Sequence, residues 1–183
     1  PSLSARVRAR YESMYSGIFY RRFVLGEWTA AEGRIYDFYA PGEYAQEAPA
    51  EPWERLRVSV DYGTVNPTSM GLWALKDGVW YRVKEFYFDS RREMRQMTDA
   101  EYAAALRELA DGRPISAVVV DPSAASFLEL LRREGWNVKR ADNDVLSGIR
   151  HTSDLLKAGR IVICDTCADC LREIEQYVWD PKA

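Results

Sequence analysis

The 183-residue chain has only three cysteines, a single histidine and little excess charge of either sign. Its net charge of −3 excludes a strongly basic molecule, although a local basic patch for nucleic acid remains open. No apolar run approaches the roughly 20 residues of a membrane-spanning helix, and residues 1–6 lack the apolar centre of a signal peptide. We therefore expect a soluble intracellular protein.

The few cysteines form one Cys-x-x-Cys-x-x-Cys run, made of Cys164, Cys167 and Cys170. Zinc and iron–sulfur sites use such spacing, but both normally need a fourth ligand. The single histidine, His151, lies well upstream. The pattern therefore favours reduced thiols at a junction between a strand and a helix.

A phosphate-binding Gly-x-x-x-x-Gly-Lys-Ser/Thr loop is also missing, which excludes a P-loop ATPase within this sequence. The length and the 47% hydrophobic content suit one globular domain with some additional chain. Residues 41–52 are rich in proline, glutamate and alanine, which is typical of a solvated linker. We expect residues 1–52 to form a short helix and a linker, and residues 53–183 to form the folded domain.

Two predicted strands each end on an aspartate. Residues 56–60 lead into Asp61, and residues 115–120 lead into Asp121. Carboxylates at the rim of a sheet are accessible, and two of them side by side repel each other unless a divalent cation neutralises them. Two Mg²⁺ or Mn²⁺ ions roughly 3.5–4 Å apart are typical of phosphodiester hydrolysis. Alternatively, each aspartate simply caps the element that follows.

The order of elements predicts an α/β domain. Three strands form an antiparallel meander with a turn at Asp77-Gly78, and Thr98 begins a helix with a capping box. Strands and helices then alternate, which favours a mixed sheet with the fourth strand beside the first. That order places Asp61 near Asp121 and favours the shared metal site. The predicted strands are 56–60, 69–75, 79–88, 115–120, 137–140 and 161–164, and the predicted helices are 102–109, 123–134, 144–158 and 168–178.

Several motifs in this order resemble the C-terminal nuclease domain of tailed-bacteriophage terminase large subunits. They are Asp-Tyr-Gly-Thr-Val-Asn-Pro-Thr at 61–68, Thr-Asp-Ala-Glu-Tyr at 98–102, Asp-Pro-Ser-Ala-Ala-Ser-Phe at 121–127, Ala-Asp-Asn-Asp-Val at 141–145 with Gly-Ile-Arg at 148–150, and Glu-Gln-Tyr-Val-Trp-Asp at 175–180. The resemblance runs over residues 21–183. It implies an RNase H-like fold, with residues 1–52 joining the nuclease to an ATPase domain of the same subunit.

The resemblance also implies an activity. Asp61 would bridge two Mg²⁺ or Mn²⁺ ions, Asp121 would bind one of them, and the domain would cut concatemeric double-stranded DNA during genome packaging. The implied partners are double-stranded DNA, the terminase small subunit and the portal protein, and the implied location is the cytoplasm of the bacterial host of a phage or prophage.

The sequence departs from the family pattern near its end. The family's third acidic ligand follows the Tyr-x-Trp-Asp segment, and no such motif occurs before Ala183. We expect either a tail outside this sequence or a shortened gene. Asp142, Asp144 and Glu173 are the nearest other carboxylates, and the resemblance assigns none of them to metal. With two carboxylates we expect weak metal binding and feeble activity.

Two rival functions stay open. The first is an inactive DNA-binding or assembly module that keeps the fold. The second is another RNase H-like enzyme, such as a Holliday-junction resolvase or a transposase, and the motifs at 121–124 and 142–145 argue against it.

Polar side chains in these motifs and nearby arginines are candidates for contacts with DNA. Arginines on solvated faces are ordinary, an asparagine before a helix commonly caps it, and the loop at 63–67 has a plain turn as its alternative explanation. The candidates are Asn66, Arg91, Arg92, Arg140, Asn143 and Arg150.

Overall fold

The computed structural model describes residues 33–64 and 66–179. The helix expected at residues 1–11 lies outside these residues. The described chain contains parts of two compact units. The smaller comprises residues 33–37 and 176–179, where the Ile35 amide donates to the Tyr177 carbonyl at 2.7 Å and Arg34 forms an antiparallel bridge with Val178. The larger unit is Phe38–Glu175.

A six-stranded mixed sheet forms the centre of the larger unit, in the order β5-β4-β1-β2-β3-β6. β1–β2 and β2–β3 pair antiparallel, whereas β1–β4, β4–β5 and β3–β6 pair parallel. The predicted meander and the fourth strand beside the first are thus confirmed. The strands are β1 (Arg55–Asp61), β2 (Thr68–Lys76), β3 (Val79–Phe88), β4 (Ile115–Val120), β5 (Val138–Arg140) and β6 (Ile161–Ile163).

Five helices accompany the described strands, and two of them cover one face of the sheet. That face is apolar because β1 alternates buried Leu56, Val58 and Val60 with more exposed residues. Tyr102 and Phe127 of the covering helices are buried against it. The helices are α1 (Pro41–Tyr44), α2 (Asp99–Ala110), α3 (Ala125–Arg133), α4 (Val145–Lys157) and α5 (Ala168–Gln176), of which α2 and α3 form the apolar layer.

Local sequence signals set several boundaries. Asp77 and Gly78 both have positive φ, at 50° and 75°, as a tight hairpin turn requires. Thr98 and Glu101 form the predicted capping box at the start of α2. α3 begins two residues later than predicted, because Ser123 is held in a turn by the Asp121 carboxylate. Within the described residues, no helix combines the length and the apolar character needed to cross a bilayer.

Candidate active site at the ends of β1 and β4

Asp61 and Asp121 lie at the same edge of the sheet. Asp61 is the last residue of β1, and Asp121 follows β4 directly. Val60 and Val120 are register partners, and the Asp121 amide donates to the Val60 carbonyl at 3.3 Å. The parallel pairing of β1 and β4 therefore brings together two carboxylates that are far apart in the sequence.

The two carboxylates have opposite electrostatic environments. Burial raises the pKa of Asp61, and the negative charges of Asp121 and Glu173 raise it further. Hydrogen bonds from the Ser123 side chain and backbone lower the pKa of Asp121, and the Asn143 amide contributes in the same direction. The Ser123 amide donates to Asp121 Oδ1 at 2.7 Å, and Asn143 Nδ2 lies 3.5 Å from both carboxylate oxygens. Its surroundings therefore favour the ionised form of Asp121, whereas the surroundings of Asp61 disfavour ionisation.

This arrangement fits a hard divalent cation. The donors are carboxylate oxygens, which Mg²⁺ and Mn²⁺ prefer. The repulsion that raises the pKa of Asp61 would be relieved by positive charge between the two side chains. In the described part of the chain, no three or more Asp, Glu, His or Cys side chains are close enough together to hold one ion. Asp61 and Asp121 are two carboxylates that could supply direct ligands to such an ion.

The loop after β1 is tightly built. A Cβ on Gly63 would lie 2.1 Å from the Asn66 carbonyl oxygen, so only glycine fits there. The buried Thr68 hydroxyl donates to the Gly63 carbonyl at 3.0 Å and accepts from the Gly63 amide. Tyr62 donates to Asp99 at 2.6 Å, which ties the start of the loop to α2. Asn66 itself is exposed to solvent beside the site.

The four arginines predicted to contact DNA lie in two separate parts of the structure. Arg91 and Arg92 are exposed after β3, and Arg92 forms an ion pair with Glu93 at 3.4 Å. Their segment approaches the loop after β1, because Gln96 Nε2 lies 3.5 Å from the Thr64 carbonyl. A surface cavity of about 280 Å³ is lined there by Arg91 and Thr64, among others.

Two further candidates lie on the β5 and α4 side of the sheet. Arg140 is exposed at the end of β5, and Arg150 is half-buried on α4. Asp144 caps α4 through the Ser147 amide at 3.1 Å, as expected of a residue at a helix start. Of the six candidates, Asn143 is the one whose side chain meets a site carboxylate directly.

Sequence analysis named Glu173 but missed its contact with Tyr87, which joins α5 to β3. The Tyr87 hydroxyl donates to Glu173 Oε1 at 2.6 Å, and burial together with this carboxylate raises the pKa of Tyr87 to about 12. Glu85 accepts from the Asp169 and Cys170 amides at 2.7 and 3.1 Å. The alternation of side chains along β3 could have identified Glu85 and Tyr87, because it places both on the face of the sheet that carries Asp61.

Two of the three cysteines lie where β6 leads into α5. Cys164 and Cys167 are free and buried between β6 and α5, as predicted for a junction between a strand and a helix. Burial raises the pKa of Cys164 to about 11 and that of Cys167 to about 12. Both thiols therefore stay protonated at neutral pH.

Relatives of known structure share this fold. The nuclease domain of the P22 large terminase superposes with a TM-score of 0.68 and 18% identity over 85% of this chain and 84% of that one. The large terminase nuclease of thermophilic phage G20c, solved with bound zinc, gives a TM-score of 0.53 and 16% identity over 67% of this chain and 70% of that one. Together with the sheet order, these likenesses establish an RNase H-like α/β fold.

Closer relatives identify the family. The large terminase of another thermophilic bacteriophage, solved in complex with ADP, is 46% identical with a TM-score of 0.85, over 98% of this chain and 46% of that one. The terminase large subunit of Escherichia phage T5 is 22% identical over 88% of this chain and 38% of that protein. No protein-family model matches the chain. The chain belongs to the phage terminase large subunits, shares its fold with the nuclease domain of the P22 large terminase, and spans less than half the length of these two relatives.

Proposed function

We propose that this domain is a metal-dependent endonuclease that cuts double-stranded viral DNA during genome packaging. One observation carries the proposal. Two aspartates lie side by side at the ends of β1 and β4, in a chain that is 46% identical to a phage large terminase. Such a pair suits the binding of divalent cations and the hydrolysis of a phosphodiester.

Asp61 and Asp121 would together hold two Mg²⁺ or Mn²⁺ ions. When bound, such ions would supply the activation of water and the stabilisation of the departing oxygen of the phosphodiester. Ser123 and Asn143 orient the Asp121 carboxylate toward the site and keep it ionised. Zinc bound to the G20c nuclease supports a divalent-cation site in this fold, and the oxygen donors here favour Mg²⁺ or Mn²⁺.

The proposed substrate is concatemeric DNA in the cytoplasm of the bacterial host. The proposed partners are an ATPase domain in the same full-length subunit, the terminase small subunit and the portal protein. Arg91 lines a surface cavity together with Thr64 of the loop after β1, and phosphate contacts there would position the duplex without reading its sequence. The proposed DNA contacts are Asn66, Arg91, Arg92, Arg140, Asn143 and Arg150.

Cleavage of supercoiled plasmid with Mn²⁺ tests the proposal. Asp61→Asn and Asp121→Asn should each lower the nicking and linearisation rate by about a hundredfold or more, because each removes a charged ligand at nearly constant shape. Asp154→Asn is the matched control, since Asp154 is an exposed carboxylate on α4. Plasmid binding without cleavage by the unaltered chain would contradict the nuclease proposal and support an inactive DNA-binding module.

A further inference from the structure

Glu173 reaches the row of side chains that contains both aspartates. The strand registers pair Asp61 with Ser69 and Ser69 with Tyr87, so these three residues form one row and point to the same face of the sheet. Asp121 continues that row after β4. The Tyr87 hydroxyl then binds Glu173 at 2.6 Å, which places this carboxylate of α5 over the face that carries the site.

The start of α5 is fixed to the same face by buried contacts. The Glu85 carboxylate accepts from the first amides of α5, and Arg82 pairs with Glu85 at 3.5 Å with both side chains less than 10% exposed. Arg82 also donates a hydrogen bond at 2.9 Å to Ser69, which belongs to the row of side chains described above. These bonds hold the helix that carries Glu173 in one position relative to β2 and β3.

The two other spare carboxylates are occupied elsewhere. Asp144 accepts from the Ser147 amide and hydroxyl at 3.1 and 2.9 Å, as the cap of α4. Asp142 accepts from the Asp144 amide at 3.2 Å. Glu173 is different, because its hydrogen-bond partner Tyr87 stands in the same row of side chains as Asp61. Of the three, Glu173 is therefore the one whose side chain is tied to the row that carries the site.

We propose that Glu173 is a further acidic residue of the metal site, acting on the cation from beyond the direct ligands Asp61 and Asp121, with Tyr87 and Glu85 as its positioning residues. This inference rests on the proposed function. Mg²⁺ keeps several waters in protein sites, so a carboxylate beyond ligand distance still contributes attraction.

Mn²⁺ binding, measured by titration while the EPR signal of free Mn²⁺ is followed, tests this role separately from activity. Glu173→Gln keeps the acceptor for Tyr87 but removes the charge, and we expect the Mn²⁺ Kd to rise about tenfold, as for other outer-shell groups. Glu175→Gln makes the same change at an exposed position on the same helix and should leave the Kd within about twofold of the starting value. Tyr87→Phe keeps the charge but frees Glu173, so a smaller increase is expected.

The outcomes separate the two proposals. If Asp61→Asn abolishes Mn²⁺ binding while Glu173→Gln binds like the unaltered chain, Glu173 has no role at the metal and this inference fails alone. If neither variant changes binding, the metal site at Asp61 fails as well. Melting curves in EDTA show whether each variant folds. If Glu173→Gln is unfolded, Tyr87→Phe decides, and an unchanged Kd there overturns the positioning role.

Discussion

Neutralising Asp61 should stabilise the metal-free protein at neutral pH. The fold raises the pKa of this carboxyl by partly burying it beside the charges of Asp121 and Glu173, so ionisation of Asp61 opposes folding. A raised pKa in an acid means that the stability present at low pH is lost as the pH rises from the unfolded pKa of about 3.9 through the folded pKa. Asp61→Asn removes that loss without changing the shape of the side chain.

The size of the effect follows from the spacing of the strands. Neighbouring strands are about 4.8 Å apart, so the two carboxylates lie roughly 5 Å apart when they point the same way. Two charges at that distance repel by about 0.8 kcal/mol in water and about 3 kcal/mol at an effective dielectric of 20. Asp61 keeps exposed surface and Asp121 is half-exposed, so the repulsion is closer to the smaller value, the one in water. We expect Asp61→Asn to raise the free energy of unfolding by about 1 kcal/mol at pH 7.5.

Urea unfolding in EDTA, followed by tryptophan fluorescence, measures this increase in the free energy of unfolding. The difference in stability between Asp61→Asn and the unaltered chain should shrink as the pH falls toward 4, because Asp61 then takes up a proton and, like asparagine, carries no charge. Asp121→Asn should gain less, because it relieves the same repulsion but weakens the charge-assisted bonds from Ser123. If Asp61→Asn is no more stable at pH 7.5, or if its gain is independent of pH, the electrostatic account of the site is wrong.

Two further predictions concern the framework of the site. Gly71→Ala should destabilise the fold by about 1–3 kcal/mol in urea unfolding, because its Cβ would lie 2.5 Å from the Arg82 guanidinium. A cost below about 0.5 kcal/mol would show that Arg82 moves aside freely. Thr98→Ala removes the reciprocal cap with Glu101 and should cost about 1 kcal/mol, whereas Thr152→Ala within α4 has no cap to lose.

The elements that sequence predicted well are those set by neighbouring residues. The turn at Asp77-Gly78 and the capping box at Thr98 follow from chemistry within four residues. The adjacency of Asp61 and Asp121 was also predictable, because few topologies join a meander to alternating strands and helices.

What sequence could not supply depends on long-range pairing and buried charge. The bond between Tyr87 and Glu173 requires α5 to follow β6 along the edge of β3, which no local pattern specifies. Arg82 is buried although arginine is usually exposed, because Glu85 compensates its charge. The approach of Asn143 to Asp121 likewise depends on where the chain leaves β5, so a helix cap was the simpler interpretation.

The parallel pairing of β1 with β4 also bears on when this site comes into existence. Its two aspartates are separated by about sixty residues, so they come together only after a long stretch of chain has closed into a loop. A chain still emerging from the ribosome contains Asp61 long before Asp121 is made. Folding order thereby withholds the pair of aspartates until β4 has been synthesised and has paired with β1.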